Sequence, residues 1–311
     1  MKRRFYSKTR KKHRVRKYLF LLLFVLALYF TYQYLDQSSV KIDQKEFVKV
    51  LLSENQEKSL AESFFSIVFP SDEKRVVALL KNNYHNLIVE EEPEAVPVVA
   101  KAEERDPYIY IYNSHQTEEY TPNTFVEYSV MPTVMMNDYI LEEKFEEHNF
   151  TTVVEERNIK EVLNRNGWNY AGSYQASRVF LEEAKVNYPS LKYFIDVHRD
   201  SLGRDRTTVV INDKSYASIL FLIGLENPNY QQNLEFTEKI NQKINEKYPN
   251  LSKGIYKKEG PGVNGVYNQD FSPFTILVEM GGPENTIDEV LNTSLAFADC
   301  FLEVINEYEL H

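Results

Sequence analysis

The chain has 311 residues, with 36 Lys or Arg against 46 Asp or Glu, and a formal net charge of −10 at pH 7. Ten of the basic residues fall within the first seventeen positions, so the remainder carries 26 basic against 46 acidic side chains, a charge of −20. That sign excludes a nucleic-acid binder, whose surface must oppose the phosphate charge. The single cysteine, Cys300, excludes an intrachain disulfide and a structural zinc site built on thiolates.

Residues 1–17 form a basic tail. Tyr18 to Phe30 are an unbroken apolar and aromatic run, and with Thr31 to Leu35 the segment reaches the roughly 18–20 residues that cross a bilayer as a helix. A cleaved signal peptide is the competing reading. Its apolar core is shorter, about 7–15 residues, and ends in small residues at a cleavage site, whereas here Tyr32-Gln-Tyr-Leu-Asp36 follows. The expectation is an uncleaved anchor over 18–35. Positive residues stay cytoplasmic, so the chain beyond Leu35 faces outward as a single-pass protein of the cell membrane.

Residues 36–90 read as a helical juxtamembrane region, with Phe47, Val50, Leu51 and then Leu60, Phe64, Phe65 at helical spacing. Pro70 breaks the run, and Ser71 caps a second helix. Residues 91–105, with Pro93, Pro97 and a charged Lys101-Ala-Glu-Glu-Arg105, mark a linker. A further domain then spans 106–311.

Within it, strand-like runs at 108–112, 151–154, 193–197, 207–211, 219–223 and 275–279 alternate with helix-like runs at 134–148, 174–188, 230–248 and 287–308. This alternation predicts an α/β fold: a mixed or mostly parallel sheet with helices on both faces. Cys300 falls in the last helix, in an apolar stretch that argues against an intermolecular bridge. No GxxxxGK[ST] occurs, and the glycines at 260, 262, 265, 281 and 282 need not cradle phosphate, which disfavours a nucleotide enzyme.

Two histidines stand where strands end. His115 closes Asp106-Pro-Tyr-Ile-Tyr-Ile-Tyr-Asn-Ser-His115, and His198 closes Leu191-Lys-Tyr-Phe-Ile-Asp-Val-His198. Glu279 ends Thr275-Ile-Leu-Val-Glu279 in the same way. The carboxyl ends of strands are where open α/β sheets place ligands and chemistry. Glu118, three residues after His115, can share a metal ion with it, and His198 can supply a third ligand. Zinc held so would bring the pKa of a water to about 7, with Glu279 as the proton carrier. Asp196 or Asp200 would fix the His198 ring, and Arg199 or Arg206 would meet a substrate carboxylate or developing oxyanion. The plainer alternatives are a hydrogen-bonded loop histidine and a solvated charged loop. The other histidines, His13, His85, His148 and His311, lie in the tail, the stalk, an exposed acidic stretch and the terminus.

At these residues the sequence resembles the stage II sporulation protein P family. The resemblance runs from about Asp106 to the C-terminus, in five ordered blocks. They are Ile111-Tyr-Asn-Ser-His115-Gln-Thr-Glu118-Glu-Tyr120, Tyr193-Phe-Ile-Asp-Val-His198-Arg-Asp200-Ser, and Phe221-Leu-Ile-Gly-Leu-Glu-Asn227-Pro-Asn-Tyr230 with Asn233. Tyr267-Asn-Gln-Asp270 and Leu277-Val-Glu279-Met-Gly281-Gly282 with Asn285, Thr286 and Glu289 complete the set. The resemblance implies a membrane-anchored, zinc-dependent N-acetylmuramoyl-L-alanine amidase acting on peptidoglycan, with endopeptidase action on cross-links. It implies His115 and His198 as zinc ligands, Glu118 or the adjacent Glu119 as the acidic ligand, and Glu279 as the catalytic carboxylate. Implied partners are stage II sporulation proteins D and M. Asn113 stands where the family's first motif histidine lies, and Phe274 where a basic residue is frequent, which would alter substrate contacts. The rival expectations are a non-catalytic wall-binding scaffold and a zinc carboxypeptidase on a similar layout.

Overall fold

The computed structural model describes residues 43–55, 105–121 and 130–309. The tail, the 18–35 run, the second helix after Ser71 and the linker up to residue 104 lie outside these residues. No helix among the described residues is long and apolar enough to cross a membrane.

Helix α1, Gln44–Asn55, comes first and is followed by strand β1, Ile109–Tyr112. Next come α2 (Met135–Glu147), β2 (Thr152–Val154), α3 (Ile159–Asn166), α4 (Ser173–Asn187) and β3 (Tyr193–His198). A one-turn helix at Arg204–Thr207 leads into the hairpin β4 (Thr208–Ile211) and β5 (Lys214–Ala217). The chain closes with β6 (Ile219–Gly224), α5 (Tyr230–Lys247), β7 (Ser252–Lys258), β8 (Thr275–Met280) and α6 (Ile287–Glu309).

The main sheet has the order β2-β1-β3-β8-β6-β7. Strands β2, β1, β3 and β8 run parallel, β6 is antiparallel to β8, and β7 is parallel to β6. The sheet is therefore mixed, as the alternation of elements predicts. The largely apolar runs of β1 and β3 mark strands covered on both faces, and every residue of both is buried. Ile109, Ile111, Ile195 and Val197 pack on one face against Phe145 of α2, Phe236 of α5 and Phe301 of α6. Tyr110, Tyr112 and Phe194 pack on the other against Leu181 and Ala184 of α4. At roughly 1.5–3 kcal/mol for each large side chain removed from water, these two layers fix the sheet.

Three features depart from the pattern in the sequence. The 207–211 run pairs with β5 in its own two-stranded sheet and does not join the main one. Strand β7, Ser-Lys-Gly-Ile-Tyr-Lys-Lys, escapes a hydrophobic pattern because it is the edge strand, where lysines protect unpaired backbone groups. Gly260-Pro-Gly262-Val-Asn-Gly265 does have G-x-G-x-x-G spacing, yet the chain leaves it for a single 3-10 turn at Gln269–Phe271. It opens no helix N-terminus, so the dinucleotide-binding context is missing.

Helix α1 packs against α2. Lys45 Nζ lies 2.7 Å from Glu142 Oε2, Phe47 and Val48 are buried, and Gln44 Oε1 accepts from both the backbone N–H and the hydroxyl of Thr133. Part of the 36–90 region is thus built into the same packed body as β1.

Candidate metal centre

Strands β1, β3 and β8 are neighbours and parallel, so their carboxyl ends lie side by side. His115 follows the first in a turn, His198 ends the second, and Glu279 is paired in register with His198 on the third. Since side chains alternate across a strand, Phe194, Asp196 and His198 share one face with Thr275, Leu277 and Glu279.

Glu118 is the hub. Its Oε1 is 3.5 Å from His115 Nδ1 and its Oε2 is 3.6 Å from His198 Nδ1. One ligand atom from each of the three residues can be chosen so that all lie within 4.8 Å of one another. Metal–ligand bonds of about 2.0–2.2 Å give tetrahedral ligand–ligand edges of about 3.4 Å, so two nitrogens and a carboxylate oxygen at these separations fit a divalent cation. The adjacent Glu119 is not part of this group; its backbone bridges to Thr133 and its carbonyl accepts from Arg199 Nε.

The charges are coupled. Burial opposes ionisation of Glu118, but bonds from His115 and His198 and the Arg199 backbone N–H outweigh it and bring its pKa down to about 2. Burial also opposes a charged His198, yet the Asp196 and Glu118 carboxylates hold its pKa well above the ordinary imidazole value. Two carboxylates holding a proton on a buried imidazole are poised to hold a cation in its place. Glu279 is driven the other way. Burial, offset by His198 and reinforced by Glu118, Asp200 and Asp196, pushes its pKa up to about 7. Its Oε2 is buried without a hydrogen-bond partner.

Asp196 is fully buried and accepts from the backbone N–H and hydroxyl of Ser114, at 2.8 and 2.7 Å. Its Oδ1 also lies 2.9 Å from His198 Nε2, an ionic contact and not an aligned hydrogen bond. Arg199 is committed to the loop: its N–H donates to Glu118 Oε2, and its guanidinium donates to the carbonyls of Glu119 and Asp200. Asp200 accepts from the Leu202 N–H and lines a cleft beside Glu279. Tyr120 ties the Glu118 loop to the end of β8 by donating to the Met280 carbonyl at 2.8 Å.

Several contributors escaped the sequence reading. Tyr170 stacks on His115 with ring centres 4.6 Å apart, and Tyr174 stacks on His198 at 6.3 Å. Their only sequence signal is the aromatic spacing of Trp168-Asn-Tyr170-Ala-Gly-Ser-Tyr174. Asn113 lies beneath the site, donating to the Val197 carbonyl and to Asp138 Oδ1. Asp138 is fully buried, and burial raises its pKa well above the carboxylate range. Phe274 precedes β8, at the end opposite Glu279, and packs on Tyr193 and Phe236.

Two clefts flank the cluster. One, of about 560 Å³, borders His115, and another, of about 410 Å³, borders Glu279.

The family model for stage II sporulation protein P matches residues 32–302. A protein of that name from Bacillus subtilis (strain 168) is 34% identical over 203 residues, covering 63% of this chain and 50% of the relative. This chain thus spans about half the length of that relative. Among solved structures, the N-acetylmuramoyl-L-alanine amidase AmiC2 of Nostoc punctiforme superposes with a TM-score of 0.38 and 13% identity, over 66% of this chain and 98% of that one. The CwlD amidase from Clostridioides difficile, in complex with the GerS lipoprotein, superposes with a TM-score of 0.42 and 10% identity, over 64% and 98%.

Proposed function

Because this chain belongs to the stage II sporulation protein P family, we propose that it is a membrane-anchored, zinc-dependent peptidoglycan hydrolase. It cleaves the amide between N-acetylmuramic acid and L-alanine. The observation that carries this reading is the convergence of His115, Glu118 and His198 with a buried, unpartnered Glu279 on adjacent strand ends.

His115, Glu118 and His198 hold the metal, which when bound supplies Lewis-acid polarisation of the scissile carbonyl and a more acidic water. Glu279 accepts the proton of the attacking water and returns it to the departing alanine nitrogen. A base whose pKa lies near 7 suits both transfers, and a cation beside it lowers that value and favours the accepting form. Asp196 orients the His198 ring from behind, as carboxylates behind metal-bound imidazoles do. Arg199 fixes Glu118 through its backbone N–H. The 18–35 segment anchors the enzyme beside an insoluble wall. Endopeptidase cleavage of cross-links and association with stage II sporulation proteins D and M belong to the same reading.

The test is digestion of purified peptidoglycan by the zinc-loaded full chain in detergent, with released fragments read by mass spectrometry. Free stem peptides beginning at alanine, lost in His198→Ala and Glu279→Ala, are expected. Intact wall with retained binding would point to a scaffold, and release of C-terminal residues alone to a carboxypeptidase.

A further inference from the structure

The two clefts flanking the metal cluster differ in chemistry. Across the sheet, β1 and the His115 turn stand on one side of His198, and β8 and β6 stand on the other. The larger cleft therefore opens on the His115 side, and the smaller on the Glu279 side.

The His115 side is aromatic and amide-rich. Trp168 and Tyr170 line it while 37% and 59% exposed. Local structure holds both rings in place. Asn158 caps α3 by accepting from the Lys160 N–H, and Gly167 ends that helix with φ of 65°. The Trp168 N–H then returns to the Leu163 carbonyl, and Asn169 Oδ1 accepts from the Ala171 N–H. These two asparagines spend their oxygens on backbone N–H groups, and both line the cleft together with Asn164. Lys160 is the one charged residue lining it.

The Glu279 side is ionic. Arg206 and Lys253 line it with Asp200 and Asp205, and neither cation forms a salt bridge among the described residues.

Resting on the amidase reading above, we propose that the cluster sets the direction of the substrate. The glycan lies on Trp168 and Tyr170, and the stem peptide lies between Arg206 and Lys253. An N-acetylated sugar offers apolar C–H faces, hydroxyls and acetamido oxygens, which match rings and amide donors. A stem peptide offers carboxylates and amines, which match fixed charges of both signs. The larger cleft falls within the roughly 300–1,000 Å³ typical of ligand sites. The scissile amide, joining sugar to peptide, then crosses the metal.

Trp168 is the chain's one tryptophan, so intrinsic fluorescence reads the glycan side directly. The zinc-loaded full chain in detergent is titrated with a peptide-free tetrasaccharide of alternating N-acetylglucosamine and N-acetylmuramic acid, and separately with free stem peptide. Saturable change with the saccharide and none with the peptide is expected. Trp168→Ala should raise KM for wall fragments by about tenfold or more with kcat within about threefold, and Trp168→Phe should restore KM, because uniform binding is what is removed. Arg206→Ala with Lys253→Ala should abolish inhibition by stem peptide and leave the saccharide titration unchanged. A fluorescence response to peptide and not to saccharide overturns the assignment. So does wall cleavage by a protein whose Trp168 ignores the saccharide, and there the amidase reading stands alone. Saccharide binding at Trp168 without cleavage keeps the glycan site and removes the amidase.

Discussion

Asp196 carries the connection between core and metal site, and substitutions there separate charge from shape. The carboxylate is fully buried, accepts two bonds from Ser114 and faces His198 Nε2. Asp196→Asn keeps an oxygen for the Ser114 N–H, and the Ser114 hydroxyl can rotate to accept from the new amide, so the charge alone is lost. Hydrogen bonds to charged groups contribute about 1.5–3 kcal/mol against about 1 for neutral ones, which over the two Ser114 bonds sets the cost of the Asn variant at about 1–4 kcal/mol. Asp196→Ala leaves the buried Ser114 N–H without an acceptor and His198 without its carboxylate, and should cost about 3–5 kcal/mol. Losing the carboxylate behind a ligating histidine should weaken metal binding about 10- to 100-fold in both variants. Urea unfolding of the metal-free protein gives the first quantity, and zinc competition against a chromophoric chelator gives the second. An Ala variant within about 1 kcal/mol of the parent, holding zinc within about threefold, would refute the argument.

Glu289 gives a pH signature. Burial opposes its ionisation, but Arg204, Ser215, Asn285 and the Thr286 N–H bring its pKa down to about 2. Stability from this depressed carboxylate is present above the unfolded value near about 4.3 and is lost as pH falls toward 2. The parent's Tm should therefore drop between pH 5 and pH 2 more steeply than that of Glu289→Gln, with calorimetry as the check. Glu279→Gln should cut wall hydrolysis by about 100-fold or more while leaving Tm equal or higher, because it removes a proton carrier and a buried negative charge beside Glu118, Asp200 and Asp196. Gly282→Ala should cost about 1–3 kcal/mol in thermal unfolding, since the new Cβ would lie 2.3 Å from the Leu202 carbonyl oxygen and the chain must shift. An unchanged Tm there would mean the 200–207 loop yields freely.

The sequence revealed most where a residue's environment imposes a pattern. The buried parallel strands β1, β3 and β8 are largely apolar, so His198 and Glu279 stand out near the ends of β3 and β8, and His115 just beyond β1. The long helices show their apolar spacing, so their ends fall within a residue or two of the structure. Strand β7 carries three lysines at a sheet edge and left no such trace. Short α3 was missed too, although Asn158 and Gly167 mark its caps. The direction of β6 relative to β8 cannot be read from either strand, because antiparallel pairing here is set by the path of the chain between them. Within the site, His115, His198 and Glu279 were legible as strand-end residues. Choosing Glu118 over Glu119 needed the turn geometry, since adjacent carboxylates differ only in the side to which they point. Tyr170 and Tyr174 act through contact with the histidines, and a tyrosine in a loop gives no sign of which ring it will cover.

The centre draws its parts from three strands that are remote in sequence and adjacent only in the finished sheet. His115 meets His198 when β1 pairs with β3, and Glu279 joins them when β8 pairs with β3. No fragment ending before β8 contains Glu279, and the β1 segment alone offers His115 and Glu118 without His198. A metal held by all three residues would therefore stabilise the folded chain more than any precursor. The three residues and Glu279 come together only once β1, β3 and β8 are all paired.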